Sequence, residues 1–197
     1  MYIGERMKQA KVLTKEEIRK VLKACRLTKH EDRNRFIVYL SFLSGMRAIE
    51  IANLRVSNVV NANNEVLDAI ALDKTQTKGN KGQTVYVGKA LRKEITVYLK
   101  KFPQLLNNKE GSLIKTQQGK TTSATIQYIF KQLYALANIQ NATSHSGRRS
   151  FITELSEKGV SVRVIQELAR HSSLQTTQRY IDVSVPKLKG AVDLIGV

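Results

Sequence analysis

Apolar residues recur with a helical period along most of the chain, and the first such run follows a helix-start signal. Thr14 and Glu17 have the spacing of a capping box, in which each side chain accepts a hydrogen bond from the other residue's backbone N–H. A helix is therefore predicted from about Thr14, with apolar positions at Ile18, Val21, Leu22 and Cys25. Residues 32–43 are dense in apolar side chains, so we expect a second, largely buried helix that ends near Gly45.

The rest of the chain combines shorter helices with one strand-like region. The pattern of residues 66–72 and 84–87 predicts two strands, and the polar stretch 73–83 between them predicts the Lys- and Gly-rich tip of a β-hairpin. Residues 107–122 show no periodicity and are interpreted as a surface connection. Helices are predicted over residues 46–54, 90–101, 123–137, 144–158 and 162–169. The fold class is therefore mainly α (α+β), a helical domain with one small antiparallel β-sheet.

The chain is long enough to bury a core, and it carries a large excess of positive charge. Its 197 residues are 42% hydrophobic, which suits one domain with short extensions. There are 33 Lys and Arg against 16 Asp and Glu, which gives a formal net charge of +17. Because the lysines are interleaved with structured segments, we interpret the charge as a binding face for nucleic acid. The alternative is a basic protein whose charge only maintains solubility.

The sequence argues against several other classes of protein. No stretch approaches the ~20 apolar residues of a membrane span, and the N terminus lacks the apolar core of a signal peptide. We therefore expect a cytoplasmic protein without a membrane partner. Cys25, the single cysteine, has no partner for an internal disulfide. Three histidines without a tight carboxylate cluster argue against a metal site, and the lack of a phosphate-binding loop argues against a nucleotide, so no cofactor is expected.

Two early places put a cation where a phosphate could meet it. Arg47 follows a glycine at a helix start and has Glu50 one turn later, for which a surface ion pair is the ordinary alternative. Lys78 lies in the predicted hairpin tip, where a solvated turn is the ordinary alternative. Neither place indicates a function by itself.

Two later places add histidines, another arginine and a tyrosine. His145 and Arg148 are three residues apart in the first turn of a predicted helix, where backbone N–H groups favour an anion. Helix capping by Thr143 or Ser144 is the alternative there. His171 begins a hydroxyl-rich stretch that ends at Tyr180, and a packing role is the alternative for that tyrosine.

Taken in order, these residues resemble the catalytic series of the tyrosine recombinase, or phage integrase, family. The resemblance rests on Gly45-Met-Arg47-Ala-Ile-Glu50, Lys78 in the hairpin, His145-Ser-Gly-Arg148, and His171 with Tyr180 nine residues later. It covers the chain from about Val12 to its end. It implies catalytic roles for six residues, Arg47, Lys78, His145, Arg148, His171 and Tyr180, with Glu50 in support of Arg47. Lys81, Arg149 and Arg170 are further expected to contact DNA.

The resemblance implies site-specific recombination or integration, as in phages and other mobile elements, through a 3′-phosphotyrosine intermediate. The two catalytic arginines and His171 would bind the phosphate and stabilise its added charge. His145 would help to accept the Tyr180 proton, and Lys78 would protonate the leaving 5′ oxygen. Double-stranded DNA is the implied partner, with self-association in a synaptic tetramer or with a second recombinase, in a bacterial or phage-infected host cell.

The chain also departs from the usual pattern of the family. Arg170 stands where family members mostly have Gly, Gly147 stands where an apolar residue is usual, and the segment between Arg47 and Lys78 is lengthened. The chain is expected to lack the N-terminal helical domain of most members. We divide it into an N-terminal extension, a catalytic domain and a tail helix that docks in trans or folds back, over residues 1–12, 13–183 and 184–197.

Two other functions fit parts of this pattern. A type IB topoisomerase shares the fold and the nucleophile but relaxes one duplex without exchanging partners. A DNA-binding accessory module would act on another recombinase and cleave nothing. Each catalytic position holds a competent residue, and a pure binding module has no chemical need for Tyr180, so the recombinase is favoured.

Overall fold

The computed structural model describes residues 9–77, 81–116, 119–181 and 192–193. Its helices are α1 Lys15–Ala24, α2 Glu31–Ser44, α3 Ala48–Ala52, α4 Lys89–Lys101, α5 Ser123–Leu136, α6 Ser146–Glu157, α7 Val162–Ala169 and α8 Leu174–Gln178. Short 3-10 turns cover Cys25–Leu27, Val56–Asn58 and Pro103–Asn107. The strands are β1 Ala69–Leu72, β2 Gln83–Tyr86, β3 Lys115–Thr116 and β4 Gly119–Lys120.

The first helix begins where its capping box predicts. The Thr14 hydroxyl accepts the Glu17 N–H at 3.2 Å, and the Glu17 carboxylate accepts the Thr14 N–H at 3.0 Å. Val21 on its inner face and Cys25 directly after its end are fully buried. Burial raises the pKa of the Cys25 thiol to about 12, so Cys25 acts as a small apolar side chain in the core.

Helix α2 lies at the centre of the fold and packs against α4 and α6. Phe36, Ile37 and Leu40 belong to one large core that also receives side chains from α1, α3, α4 and α5. The helix ends at Gly45 in the left-handed region, with φ 62°. A Cβ at this position would lie 2.7 Å from the Phe151 ring, so only glycine fits the corner between α2 and α3.

Helices α2 and α6 approach closely at Ser41 and Gly147. A Cβ on Gly147 would overlap the Ser41 hydroxyl and lie 2.8 Å from the Ser41 Cβ. Both residues are buried. This contact gives a physical reason for a glycine at a position that the family usually fills with an apolar side chain, and it fixes the approach of α6 to the centre of the fold.

The predicted hairpin is confirmed, and its shorter strands pair in an antiparallel register. Ala69 pairs with Tyr86 and Leu72 with Gln83, whereas Val66 forms an isolated bridge to Val60. The hairpin tip includes Lys78, which lies outside the described residues.

The interpretation of residues 107–122 as a surface connection is wrong for part of that segment. Leu113 and Ile114 are fully buried, and the Leu113 N–H donates to the Leu54 carbonyl at 2.8 Å. A second antiparallel pair, β3 with β4, follows directly. The part of the chain that the structure describes therefore contains two small sheets, where the sequence pattern indicated one.

The chain ends differ in how far they are described. Residues 9–12 of the predicted extension lie along α6, where the Leu13 N–H donates to the Ser150 hydroxyl at 2.8 Å and Ala10 accepts from Arg149. The predicted tail helix falls outside the described residues except for positions 192–193. Among the described helices, none is long and apolar enough to cross a membrane.

Candidate active site

Arg47 stands at the start of α3 and is held from both ends by Glu50. Its backbone N–H donates to Glu50 Oε2 at 2.8 Å, and its Nη1 donates to Glu50 Oε1 at 2.6 Å. A third bond runs from Nη2 to the Arg170 carbonyl at 3.1 Å. Glu50 is fully buried, so the alternative of a surface ion pair is wrong. The carboxylate therefore holds both the backbone and the guanidinium of Arg47.

Glu50 also binds a second guanidinium. Arg170 Nη2 donates to Glu50 Oε2 at 2.9 Å. Burial alone would raise the pKa of Glu50, but the positive charges of Arg170 and Arg47 outweigh it and hold that pKa below its usual value. Glu50 is therefore a carboxylate at neutral pH.

Arg170 itself is 8% exposed, and its remaining bonds go to the carbonyls of Ser44, Gly45 and Leu168. The prediction that Arg170 contacts DNA is wrong, because its guanidinium is engaged inside the protein. Local sequence suggested a basic surface residue, whereas the fold turns this side chain inward from the end of α7.

Arg148, on the first turn of α6, is 5% exposed. Its Nη1 donates to the Gly45 carbonyl at 2.8 Å, and its Nη2 donates to the Ala169 carbonyl. Burial and the nearby charges of Arg47 and Arg170 lower the pKa of Arg148 to about 9. The guanidinium thus remains charged at pH 7 in a place where an anion would relieve repulsion.

His171 follows Arg170 and is half-buried. Its Nδ1 lies 2.9 Å from the hydroxyl of Thr177, a fully buried residue on α8. Burial lowers the pKa of His171 to about 4, with further lowering by Arg148, Arg47 and Arg170. The imidazole is neutral at pH 7. If the Thr177 hydroxyl donates to Nδ1, the proton resides on Nε2, which becomes a donor to a bound group.

Tyr180 lies just after α8, and its ring stacks on His171 with centroids 5.6 Å apart and planes 21° apart. The guanidinium carbon of Arg149 lies 5.7 Å from the centre of the same ring. Tyr180 also packs against a small apolar cluster of Ile152, Ile165 and Ala169. The Tyr180 ring therefore has a packing role, as the alternative interpretation suggested. The expected chemical role concerns the hydroxyl group, so the two roles are compatible.

His145 is the N-cap residue of α6 and is exposed. The Thr143 hydroxyl accepts the His145 N–H at 3.2 Å, and the Ser146 hydroxyl accepts the Thr143 N–H at 3.0 Å. These bonds shape the turn before the helix, but neither Thr143 nor Ser144 is its cap. The alternative explanation of this motif as ordinary capping is not supported.

Two adjoining cavities bring the predicted residues together. A cavity of about 540 Å³ is lined by five of the six predicted catalytic residues, Arg47, His145, Arg148, His171 and Tyr180, and by Arg149. A second cavity of about 970 Å³ lies between β2 and the α7–α8 turn and shares Arg47 and His171. The exposed Lys81 lines this second cavity. Lys78, the sixth residue, lies outside the described part of the chain.

Charge decides what this arrangement binds. Three arginines, at positions 47, 148 and 170, surround one carboxylate, so the cluster carries a net charge of about +2 with His171 neutral. Within the described ranges, no group of three His, Cys, Asp or Glu residues could hold a metal ion. Such a net positive charge favours an anion in the cavity that Tyr180 also lines.

Sequence reasoning missed three features of the site. It did not identify Thr177 as the partner of His171, the cation of Arg149 over the Tyr180 ring, or the inward course of Arg170. An arginine at a position where the resemblance calls for glycine was the signal available for Arg170. Thr177 is one of several hydroxyl residues in its stretch, so the sequence carried no signal that distinguished it.

Comparison with known proteins gives a consistent result. The family model described as the phage integrase family matches residues 11–186. Tyrosine recombinase XerA of Thermococcus kodakarensis is 34% identical over an alignment 198 residues long that covers 95% of this chain and 66% of that protein. Tyrosine recombinase XerD of Staphylococcus epidermidis is 34% identical over an alignment 183 residues long that covers 90% of this chain and 60% of that protein. The chain thus spans less than two thirds of the length of these relatives.

Solved structures share the fold. A crystal structure of XerA recombinase aligns with a TM-score of 0.73 and 21% identity over 98% of this chain and 66% of that one. A XerH site-specific recombinase bound to a palindromic difH substrate, in a post-cleavage complex, aligns with a TM-score of 0.70 and 23% identity. That alignment covers 92% of this chain and 51% of the XerH chain.

Proposed function

Because this chain belongs to the phage integrase family, we propose that it cleaves and rejoins double-stranded DNA in site-specific recombination, with Tyr180 as the nucleophile. One observation carries the proposal: the cluster of Arg47, Arg148 and Arg170 around Glu50 forms an anion site at whose edge Tyr180 lies. A DNA phosphate placed there would lie within a cavity shared by the nucleophile and its stabilising cations.

The arginines supply the electrostatic part of the reaction. Attack on the phosphodiester adds negative charge to the non-bridging oxygens, and fixed donors aimed at that charge lower the barrier. Arg47 and Arg148 are both fixed, Arg47 by Glu50 and Arg148 by the Gly45 and Ala169 carbonyls. Their orientation is therefore set before the substrate arrives, and little reorganisation is needed during the reaction.

His171 contributes a neutral donor. Its low pKa keeps it uncharged at pH 7, and Thr177 fixes the orientation of its ring. The Nε2–H then donates to a phosphate oxygen without adding a fourth positive charge to the cluster. Stacking on Tyr180 also places this donor next to the attacking side chain.

The covalent steps conserve the energy of the phosphodiester. The Tyr180 oxygen forms a bond to the 3′ phosphorus as the bond to the 5′ oxygen breaks, and the Tyr180 proton passes to His145. Lys78 gives a proton to the leaving 5′ oxygen, a role that rests on the family resemblance alone. Attack by a 5′ hydroxyl on the phosphotyrosine reverses these steps, so the scheme consumes no nucleotide.

Strand exchange also requires contacts beyond the site. We propose that Lys81 and Arg149 contact the DNA backbone next to the reacting phosphate, since Lys81 lines the larger cavity and Arg149 the smaller one. Exchange between two duplexes would further need several protomers, either copies of this chain in a synaptic tetramer or a second recombinase.

The direct test is covalent capture on DNA. The protein is incubated with a nicked suicide duplex that carries an inverted-repeat site from DNA flanking its gene, and products are separated on a denaturing gel. We expect an adduct that Tyr180→Phe abolishes. Tyr39→Phe is the matched control, because Tyr39 packs beside Arg35 outside both cavities, and it should retain the adduct.

DNA binding, plasmid relaxation and duplex joining, measured beside adduct formation, distinguish the competing functions. Clear DNA binding without any adduct would overturn the proposal and favour an accessory module. An adduct with relaxation of supercoiled plasmid, but without joining of two duplexes, would indicate a topoisomerase-like activity. Joined recombinant products would establish strand exchange.

A further inference from the structure

Arg170 has an unusual position for a charged residue. It follows α7 with φ 56°, in the left-handed region that residues other than glycine seldom adopt. Its side chain then runs inward to the corner between α2 and α3, where it is 8% exposed. A residue held in a disfavoured backbone conformation and buried with its charge needs strong compensating contacts.

The contacts of Arg170 account for most of its donors. Nη1 donates to Leu168 O at 2.9 Å and to Ser44 O at 3.4 Å, and Nη2 donates to Gly45 O at 3.1 Å. The guanidinium also contacts a charged group through the bond from Nη2 to Glu50 Oε2 at 2.9 Å. Nε is buried without a hydrogen-bond partner. The side chain therefore joins Glu50 to the turn that precedes His171.

Glu50 is shared between two arginines. Its Oε1 accepts from Arg47 and its Oε2 accepts from Arg170, and Glu50 is fully buried, away from solvent. With Arg170 present, one positive charge offsets the carboxylate, and the charges of Arg47 and Arg148 remain for an anion. Without Arg170, the carboxylate would offset Arg47 itself, and the cluster would lose one of its two net positive charges.

We propose that Arg170 is a positioning residue that neutralises Glu50, so that Glu50 orients Arg47 without cancelling its charge toward the phosphate. The inference deepens the proposed function and rests on it only for the identity of the anion as a DNA phosphate. Arg170 acts through Glu50 and Arg47 and does not touch the reacting atoms.

The first test measures anion affinity directly. Sulfate is titrated against each variant at constant ionic strength, with chloride as the compensating ion, and the dissociation constant is taken from the rise in melting temperature. Arg170→Gly relieves the backbone and removes the cation, and it should weaken sulfate binding by roughly tenfold, the effect of one nearby unit charge in a partly buried site. Arg170→Lys keeps the positive charge, so its sulfate affinity should lie between those of the natural protein and Arg170→Gly.

A double variant gives the decisive comparison. Arg170→Gly combined with Glu50→Gln removes one positive and one negative charge, so the net charge of the cluster returns to that of the natural protein. We expect sulfate affinity to recover to within about threefold of the natural protein. If Arg170 only supported the fold, the double variant would bind sulfate no better than Arg170→Gly, and that result would overturn the proposal. The proposal would also be overturned if Arg170→Gly bound sulfate as tightly as the natural protein does.

Control measurements distinguish an effect on folding from an effect of charge. They also test the role of Arg170 independently of the proposed function. Far-UV circular dichroism verifies that each variant is folded, and Arg26→Ala, which removes an exposed arginine outside both cavities, should leave sulfate affinity unchanged. On the suicide duplex, Arg170→Gly should slow adduct formation about tenfold while DNA affinity changes less than about twofold. If the natural protein forms no adduct, the proposed function fails, and the sulfate comparison still decides the role of Arg170.

Discussion

At the scale of single residues, the site depends on donors whose directions are fixed before any ligand binds. Arg148 uses two of its nitrogens on the Gly45 and Ala169 carbonyls, and the fork shape of the guanidinium leaves further N–H groups for a phosphate. A lysine has the same charge but cannot satisfy both carbonyls and a phosphate at once. The geometry of the side chain therefore matters separately from its charge.

Arg148→Lys should consequently slow adduct formation by roughly 10²–10³-fold, the usual effect of removing a donor to the transition state. DNA affinity should change little, since the net charge is unchanged. Single-turnover rates on the suicide duplex measure this effect, with Arg163→Lys as the control because Arg163 is a mostly exposed arginine in a surface ion pair. A rate within about twofold of the natural protein would contradict the argument.

The low pKa of His171 makes a second prediction. Its pKa in the folded protein is about 4, below the ordinary value of 6.5, so the unfolded chain binds a proton at His171 that the folded protein does not. Stability from this group is therefore fully present above pH 6.5 and is lost as the pH falls toward 4.

The melting temperature should thus fall more steeply from pH 6.5 to 4 in the natural protein than in His171→Gln. Other groups titrate in this range in both proteins, so the difference between the two curves isolates the histidine. Parallel curves would show that His171 titrates equally in both states and would refute the assigned pKa.

At the scale of secondary-structure elements, the sequence predicted what local chemistry determines. The capping box at Thr14 and the end of α2 at Gly45 depend on neighbouring residues, and both lie where the pattern indicated. The burial of Leu113 could not be predicted in the same way, because two adjacent apolar residues in a polar segment have no period. Their burial depends on a backbone bond to Leu54, which is distant in sequence.

In the candidate site, too, the sequence predicted some features, whereas others depend on contacts between residues that are distant in sequence. Order and spacing along the chain identified Arg47, His145, Arg148, His171 and Tyr180, which the structure brings to one cavity. The burial of Glu50 and Arg170 depends on how α3 and α7 meet, and no local pattern predicts that a charged side chain points inward. The error on Arg170 arose from treating an arginine as a surface residue by default.

The close contact between α2 and α6 makes a prediction about stability. Gly147→Ala would place a methyl group against Ser41, and we expect a loss of about 1–3 kcal/mol in the free energy of unfolding. Urea denaturation measures this change. Ser41→Gly in the same chain opens space for the methyl group, so the double variant should lose less stability than the sum of the single changes. Simple additivity would show that the helices adjust without this contact.

At the scale of the whole molecule, we expect the net charge of +17 to govern how the protein binds its proposed DNA partner. Cations that neutralise phosphates release condensed counterions, so affinity falls steeply as salt rises. We expect the exposed Lys81 to contribute to this effect and the buried Arg170 not to contribute. We therefore expect surface charges to affect the affinity for DNA and interior charges to affect the binding of an anion at the site.

Fluorescence anisotropy with a labelled duplex measures this separation. We expect the affinity to fall by roughly 10³-fold or more between 50 and 200 mM salt. Lys81→Gln should reduce the slope of log affinity against log salt by about one, and Arg170→Gly should leave that slope unchanged. A change in slope for Arg170→Gly would mean that this side chain reaches the DNA backbone after all.

Because several arginines lie close together in the interior, we expect thermal stability and activity to make opposite demands on this site. Burial and the charges of Arg47 and Arg170 disfavour the charged form of Arg148 and lower its pKa, and the Gly45 carbonyl keeps a donor from Arg170 if Arg148 is lost. Arg148→Met should therefore melt at a higher temperature than the natural protein while forming no adduct. We therefore expect a library selected only for thermostability to accumulate such inactive variants, because such a selection does not test the chemistry of the site.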